Sequence, residues 1–486
     1  MKYKLKKFVA YFSKHYHHVA MILVYISYIL YINFSSPFFW DEAWSYMRTL
    51  DWMIHNKISI NPASIDPEIS RAHPLGFYFL ICSFSRIFGV SKEFFHIFMS
   101  VVNCLLIFLL VHEIINIRGK ILGVLILVLV SIQEVIIVQL PFVLPEITIA
   151  SLSILSIIYY SQKRYLASMI ACIVVIYIKE SSIALLCALW VYQILEYLIG
   201  NKNLKSFMIL LLPTALLIVH FMILKYSFGW FVYPVHAGFI QHPSLSIIAN
   251  NLYIIYHFVF IEQGRILFTY LLLLLIIGKT VQIIGQRGSI SSWASCLSQK
   301  KLYLSLLIFF VSYLGFSATN FLMTRYLIPL VLLLMLLSVF LIDDLIKNLN
   351  FKLSIIAFLI LVTAWKNFTI VDEWIDDSKF NSRAMINVHL ETVKFMEKSV
   401  SRESIINTHF LMQTCLTKKY AGYLEGDTFK NVHIFDNSFP ANFIILSSME
   451  YNDSIMDQLK SNQQGNYFLL KRFSSPPAWC EIFKKK

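Results

Sequence analysis

FFWDEAWSYM, residues 38–47, sets two adjacent carboxylates, Asp41 and Glu42, directly after an apolar run. Three aromatic side chains precede the pair and Trp44 follows it. Charge beside lipid is costly, so the pair needs a reason. One reading is a helix start, with Asp as cap, acids at the positive helix end, and AWSYMRTLDWM as the helix. The other is a carboxylate held just outside the bilayer as a general base, where aromatic neighbours partly exclude water. Adjacent residues point differently, so both readings can hold at once.

The rest of the chain places this stretch at a membrane. Its 486 residues are 58% hydrophobic and 14% charged, with mean hydropathy +0.66. Apolar runs of about 18 residues or more recur, the length a helix needs to cross a bilayer. The predicted spans are 19–36, 94–115, 121–139, 146–160, 165–179, 181–198, 206–226, 265–283, 303–319, 326–343 and 353–370. The basic start MKYKLKKFVAYFSKHYHH precedes the first run without a small-residue cleavage site before the acids, so that run is expected to be a retained span rather than a signal peptide.

Net charge is +13. The Lys and Arg concentrate in short loops between spans, which assigns them to orientation by the positive-inside rule and not to nucleic acid. Residues 1–18 carry five Lys and no acid, so the N-terminus is expected in the cytoplasm. Parity then puts NIRGK (116–120), SQKR (161–164), GNKNLK (200–205), 279–301 and DDLIKNLNFK (343–352) on the same side. Each holds at least two basic residues. Eleven spans leave 371–486 outside.

The same parity gathers five polar clusters on the outer face: WDEAW (40–44), RAHPLG (71–76), QLPFVLPE (139–146), IKESS (178–182) and TRYLIP (324–329). They are spread over nearly 300 residues of sequence, yet one cleft would collect them. Residues 37–93 form a long first outer loop, in which 75–90 is expected to lie along the membrane surface, because a further span there would reverse every later loop. NLYIIYHFVFI (251–261) is a second candidate interfacial helix. In the tail, INVHLETVKFMEKS reads as an amphipathic helix, and 431–435, 441–448 and 466–473 as short strands, which fits a small α/β domain.

Each cluster also has a plain structural reading. His73-Pro74 would break a loop and start a helix at the proline. Pro145-Glu146 is an ordinary helix start. Lys179-Glu180 suits a hairpin turn with the lysine snorkelling to water. Arg325 would anchor one span at the interface, although ionisable groups at membrane depth are functional by default. His236 and His242 lack metal-ligand spacing. Asn103 and His112 are expected to be satisfied by neighbouring helices. Cys82, Cys104, Cys172 and Cys187 read as inert small hydrophobes, while Cys415 and Cys480 would be free to pair if the tail is extracytoplasmic.

Taken together, the clusters resemble the GT-C superfamily of integral-membrane glycosyltransferases, in particular the group of protein O-mannosyltransferases and bacterial lipid A aminoarabinose transferases (glycosyltransferase family 39-like). Asp41-Glu42 resembles the acidic motif of that family's first outer loop. Arg71-Ala72-His73-Pro74-Leu75-Gly76 resembles its HPPLG or HPPLYY element, with Leu in place of the second Pro. Glu146 resembles the acid that opens a later span, Ile178-Lys179-Glu180 its lysine turn, and Thr324 to Pro329 its late RYxxP. The resemblance implies a polytopic α-helical GT-C fold of about eleven spans over 1–370, with a C-terminal α/β domain over 371–486, in the cytoplasmic (inner) membrane.

It also implies a polyprenyl-phosphate sugar as donor and a hydroxyl on a glycan, lipid or protein as acceptor, with membrane lipids around both. Expelling a phosphate needs cations more than an acid, roles that Arg71, Lys179, Arg325 with Tyr326, and His73 would fill. Asp41 matches the family's base, and in-line attack would invert the anomeric centre, by analogy with single-displacement glycosidases. Glu42 and Glu146 would orient Asp41, the acceptor or a divalent cation, for which Glu146 and His236 are the candidate ligands. A transporter should show repeats and mid-membrane charge; a polysaccharide polymerase or ligase would favour paired Arg and His in late loops; a scaffold explains none of the outer clusters.

Overall fold

A computed structural model describes residues 34–200, 203–234, 237–238, 244–285, 301–369, 375–435, 441–450 and 467–486. The expected first span, apart from its last residues, and His236 and His242 lie outside them. Among the described residues seven helices are long and apolar enough to cross a membrane: Lys92–Arg118, Glu180–Leu198, Leu204–Phe228, Leu245–Gly278, Lys301–Thr319, Thr324–Leu345 and Leu349–Asn367.

Four shorter apolar helices accompany them: Gly76–Phe88, Lys120–Ser131, Glu146–Ser161 and Tyr165–Ile178. Gly76–Phe88, with 13 residues, is about 20 Å long at 1.5 Å per residue, short of the roughly 30 Å hydrocarbon core. It starts at Gly76, two residues after Pro74 and not at the proline itself.

The expected span 121–139 is two helices. Lys120–Ser131 ends, Gln133 turns extended, and Glu134–Gln139 restarts. Gln133 and Glu134 are both buried there, so the apolar run hides a polar break. Helix Leu245–Ile255 continues into a wide turn, Tyr256–Ile261, and kinks at Gln263, φ 53°. Asn103 is satisfied as expected: its amide donates to the Leu140 carbonyl at 2.9 Å and its oxygen accepts from Thr148 at 2.9 Å.

Arg325 and Asp344 mark opposite ends of one long helix. At the Asp344 end the basic loop residues find acids: Arg118 meets Asp344 at 2.6 Å, Arg164 meets Glu113 at 2.9 Å and Lys301 meets Glu196 at 2.5 Å. At the Arg325 end the chain collects the five clusters predicted to share one face.

The tail is a five-stranded sheet, β1 Ile405–Thr408, β2 Asn431–Ile434, β3 Phe443–Ser447, β4 Tyr467–Ser475 and β5 Ala478–Lys485, in the order β2-β1-β3-β5-β4. β2, β1 and β3 run parallel; β5 and β4 are antiparallel to their neighbours. β3, FIILS, is buried at every position, the apolar run expected of a central strand. The amphipathic helix forms as Ser382–Ser399 and packs on β4 and β5. The helix Phe410–Thr417 was not anticipated, nor were β1 and β5. Cys415 and Cys480 form no disulfide with each other: both are buried, Cys415 beside Tyr423 and Cys480 beside Thr392.

Candidate active site

The Asp41-Glu42 stretch folds as one wide turn, Glu42–Tyr46, that runs into helix Met47–His55. Asp41 occupies the position before it but makes no capping hydrogen bond. Its cap role is therefore absent, and its carboxylate is used elsewhere. Trp40 holds φ at +50° and Ala72 at +65°. Such left-handed non-glycine residues cost of order 1–3 kcal/mol each and tend to cluster at functional sites. Here they flank Asp41 on one side and sit between Arg71 and His73 on the other.

The two acids part company. Glu42 is fully buried, accepts the backbone N–H groups of Phe39 (3.1 Å) and Val143 (2.7 Å), and lies 3.0 Å from His96 Nε2. It ties the loop to two other elements and is not among the residues that line the cleft described below. His96, which the motif reading passed over, sits under Phe38 at 5.1 Å between rings. The Asp41 side chain keeps 16% exposure and pairs with Arg325 Nη2.

Arg325 is completely buried. Its Nη1 donates to Asp377 Oδ2, and its Nε lies 3.6 Å from Glu146 Oε1. Glu146 Oε1 in turn takes Lys179 Nζ at 2.9 Å. Lys179 does not snorkel: it is buried and rides over the Tyr326 ring at 3.9 Å. Arg325 and Lys179 thus contribute two positive charges against three carboxylates, Asp41, Glu146 and Asp377. Burial pushes the Asp377 carboxyl up to about 8 against the pull of Arg325, with Asp376, Asp41 and Glu146 adding to the rise. Asp376 is also raised by burial and accepts from Thr324 Oγ1 at 2.8 Å.

Beside this chain of charges lies a cleft of about 1220 Å³, continuous with solvent. Arg71, His73, Glu146, Lys179, Glu180 and Tyr326 supply its polar lining, and its walls include Phe221, Phe231, Phe316 and Phe321. His73 Nδ1 lies 2.8 Å from Glu180 Oε2, and the Ala72 carbonyl is met by His220 at 3.3 Å. The Arg71 guanidinium stacks 3.6 Å over Trp44 and has no carboxylate partner among the described residues.

Gly76 explains the end of the RAHPLG motif. A Cβ there would stand 2.5 Å from the Tyr177 carbonyl oxygen and 2.8 Å from its Cβ. Only glycine lets helix Gly76–Phe88 approach the end of helix Tyr165–Ile178, and that approach sets His73 against Glu180.

The structure therefore brings Asp41, Arg71, His73, Glu146, Lys179, Arg325 and Tyr326 together, and turns Glu42 away. Arg325 lies behind the cleft wall, with its charge shared among carboxylates. Among the described residues no three His, Cys, Asp or Glu side chains converge as cation ligands. Asp377 escaped the sequence reading because it lies in the tail. Five consecutive buried residues, Ile375 to Lys379, were its only signal, and burial is not written in sequence.

No family model and no curated protein sequence matches this chain. The structure is similar to ArnT from Cupriavidus metallidurans bound to undecaprenyl phosphate, with TM-score 0.55 and 11% identity over 96% of this chain and 98% of that one. It is also similar to the apo state of the same protein, with TM-score 0.50 and 12% identity over the same shares. At this identity the likeness establishes the fold, the GT-C architecture.

Proposed function

We propose that the chain is a glycosyltransferase that moves a sugar from a polyprenyl-phosphate-linked donor to an acceptor hydroxyl at the outer face of the cytoplasmic membrane, with inversion. One observation carries the reading. A partly exposed carboxylate, Asp41, stands behind the cations of a largely apolar cleft, in a fold shared with a protein solved with undecaprenyl phosphate bound.

The chemistry follows from the residues. Arg71 and Lys179 line the cleft and meet the donor phosphate. Arg71 suits the task best, because no carboxylate among the described residues pairs with it and a guanidinium binds phosphate through two parallel hydrogen bonds. Phe221, Phe231, Phe316 and Phe321 offer apolar walls for the lipid that carries it. Asp41 takes the proton of the acceptor hydroxyl, whose oxygen attacks the anomeric carbon. The bond to the phosphate oxygen breaks with its electron pair, and polyprenyl phosphate leaves against Arg71 and Lys179. Arg325 positions Asp41, while His73 and Glu180 hold the rim of the cleft. Glycan, lipid and protein hydroxyls all satisfy this chemistry as acceptors.

The test supplies the purified full-length protein with a panel of radiolabelled polyprenyl-phosphate sugars. One of them should lose its sugar to acceptor or water in an Asp41-dependent way. If none does, the reading fails.

A further inference from the structure

We propose that Asp377 is a positioning residue for this transfer: it shares Arg325 with Asp41 and so sets how strongly Arg325 draws on the Asp41 carboxylate. The inference rests on the glycosyl-transfer reading and extends it to the segment that joins the last long apolar helix to the tail.

The segment Ile375–Phe380 is far more than a tether. Asp376, Asp377, Ser378 and Lys379 are all buried, and burying four polar residues in succession is expensive unless each finds a partner. Each does. Gln139 donates to the Asp377 carbonyl, Thr324 and the Ser378 N–H to Asp376, Lys379 to Glu262 at 3.0 Å, and the Phe380 N–H to Glu134 at 2.7 Å. Three other elements therefore hold Asp377 against Arg325, opposite the nitrogen that Asp41 takes.

Arg325 cannot give its full charge to two carboxylates at once. While Asp377 is neutral, Arg325 is left to Asp41 and holds its carboxylate in place. Once Asp377 ionises, the guanidinium is divided between the two carboxylates and its hold on Asp41 loosens, freeing that carboxylate towards the acceptor hydroxyl. The charged groups facing Asp377 are Arg325, Asp41 and Glu146 of the cleft side and Asp376 on its own segment, with Lys179 and Tyr326 beyond Arg325. Burial places the Asp377 carboxyl at about 8, so the change falls just above neutral pH.

The test is the pH dependence of turnover of the full-length protein between pH 6 and 10, with whichever polyprenyl-phosphate sugar of that panel serves as donor. Wild type should show a rise through pH 8. Asp377→Asn, fixed as the neutral form, should lack the rise and turn over on the order of tenfold more slowly at pH 9, with donor KM within about twofold. A superimposable Asp377→Asn profile overturns the proposal. If that variant does not melt cooperatively, Asp377→Glu decides. A limb that moves with the longer side chain supports the proposal, and one that stays in place belongs to another group and overturns it. A wild-type chain that transfers from no donor sinks the transfer reading and this inference together, an outcome plainly different from an unmoved limb.

Discussion

Asp41 and Arg325 stand 284 positions apart in sequence and form one ion pair behind the residues that line the cleft, the arginine fully buried and the acid partly open. The asymmetry divides their roles, because of the two only Asp41 keeps exposed surface. Asp41→Asn should lower transfer by at least about a hundredfold. Arg325 keeps its hydrogen bond to Asp377 and its approach to Glu146, so thermal melting should stay close to wild type. Wild-type turnover in this variant would remove Asp41 from the chemistry.

Glu42 answers to stability instead. Glu42→Ala leaves the N–H groups of Phe39 and Val143 buried without acceptors and strips His96 Nε2 of its partner, while Nδ1 keeps the Phe34 carbonyl. Each unsatisfied group costs about 1–3 kcal/mol, so a loss of roughly 3 kcal/mol or more is expected by denaturant or thermal unfolding. A variant that unfolds like wild type yet cannot transfer would reverse this and move Glu42 into the chemistry.

Arg71 is the cation expected to meet phosphate. Arg71→Ala should weaken binding of undecaprenyl phosphate by about tenfold to a hundredfold, the worth of a charged hydrogen bond of about 1.5–3 kcal/mol. Trp44, stacked under the guanidinium, provides a fluorescence report near the site. Unchanged affinity would take the phosphate role away from Arg71.

Gly76→Ala tests how the cleft is set. The new methyl meets a backbone carbonyl rather than a side chain that can yield, so helix Gly76–Phe88 must move. A loss of about 1–3 kcal/mol is expected, together with weaker undecaprenyl phosphate binding as the His73–Glu180 contact opens. Normal melting and binding would show that the close approach is dispensable.

His389 makes the tail acid-sensitive. It is buried with no hydrogen-bond partner among the described residues at either ring nitrogen, and burial, aided by His409, lowers it to about 3. His409 is lowered by burial to about 4. An unfolded histidine protonates near 6.5. Below that pH the unfolded chain therefore binds more protons than the folded one, and stability falls as pH drops from about 6.5 towards 3, by up to about 1.4 kcal/mol per pH unit for each histidine. His389→Met should flatten this fall, read by hydrogen exchange of the 382–399 amides against pH. An equal slope in both proteins would clear His389.

Much of this was open to reading in the sequence. Apolar periodicity and basic loops sorted the chain into helices with two unlike ends, because the bilayer penalises every misplaced charge. That sorting alone was enough to gather WDEAW, RAHPLG, LPE, IKESS and TRYLIP on one face. The motifs named the side chains, and the composition shift after residue 370 marked the tail domain.

What charge does after it is gathered was decided by the tertiary structure. Sequence could not say that Glu42 turns inward to His96, that Arg325 sits behind the cleft wall, that Lys179 is buried on Glu146, or that a polar break divides 121–139. Each depends on which partner lies within about 3 Å, and hydrogen bonds and ion pairs decay over distances that no spacing rule encodes. Asp377 is the sharpest case. Nothing in WIDDSKF sets it apart from an ordinary solvated linker; only packing against Gln139, Glu134 and Arg325 buries it and gives its carboxylate a role.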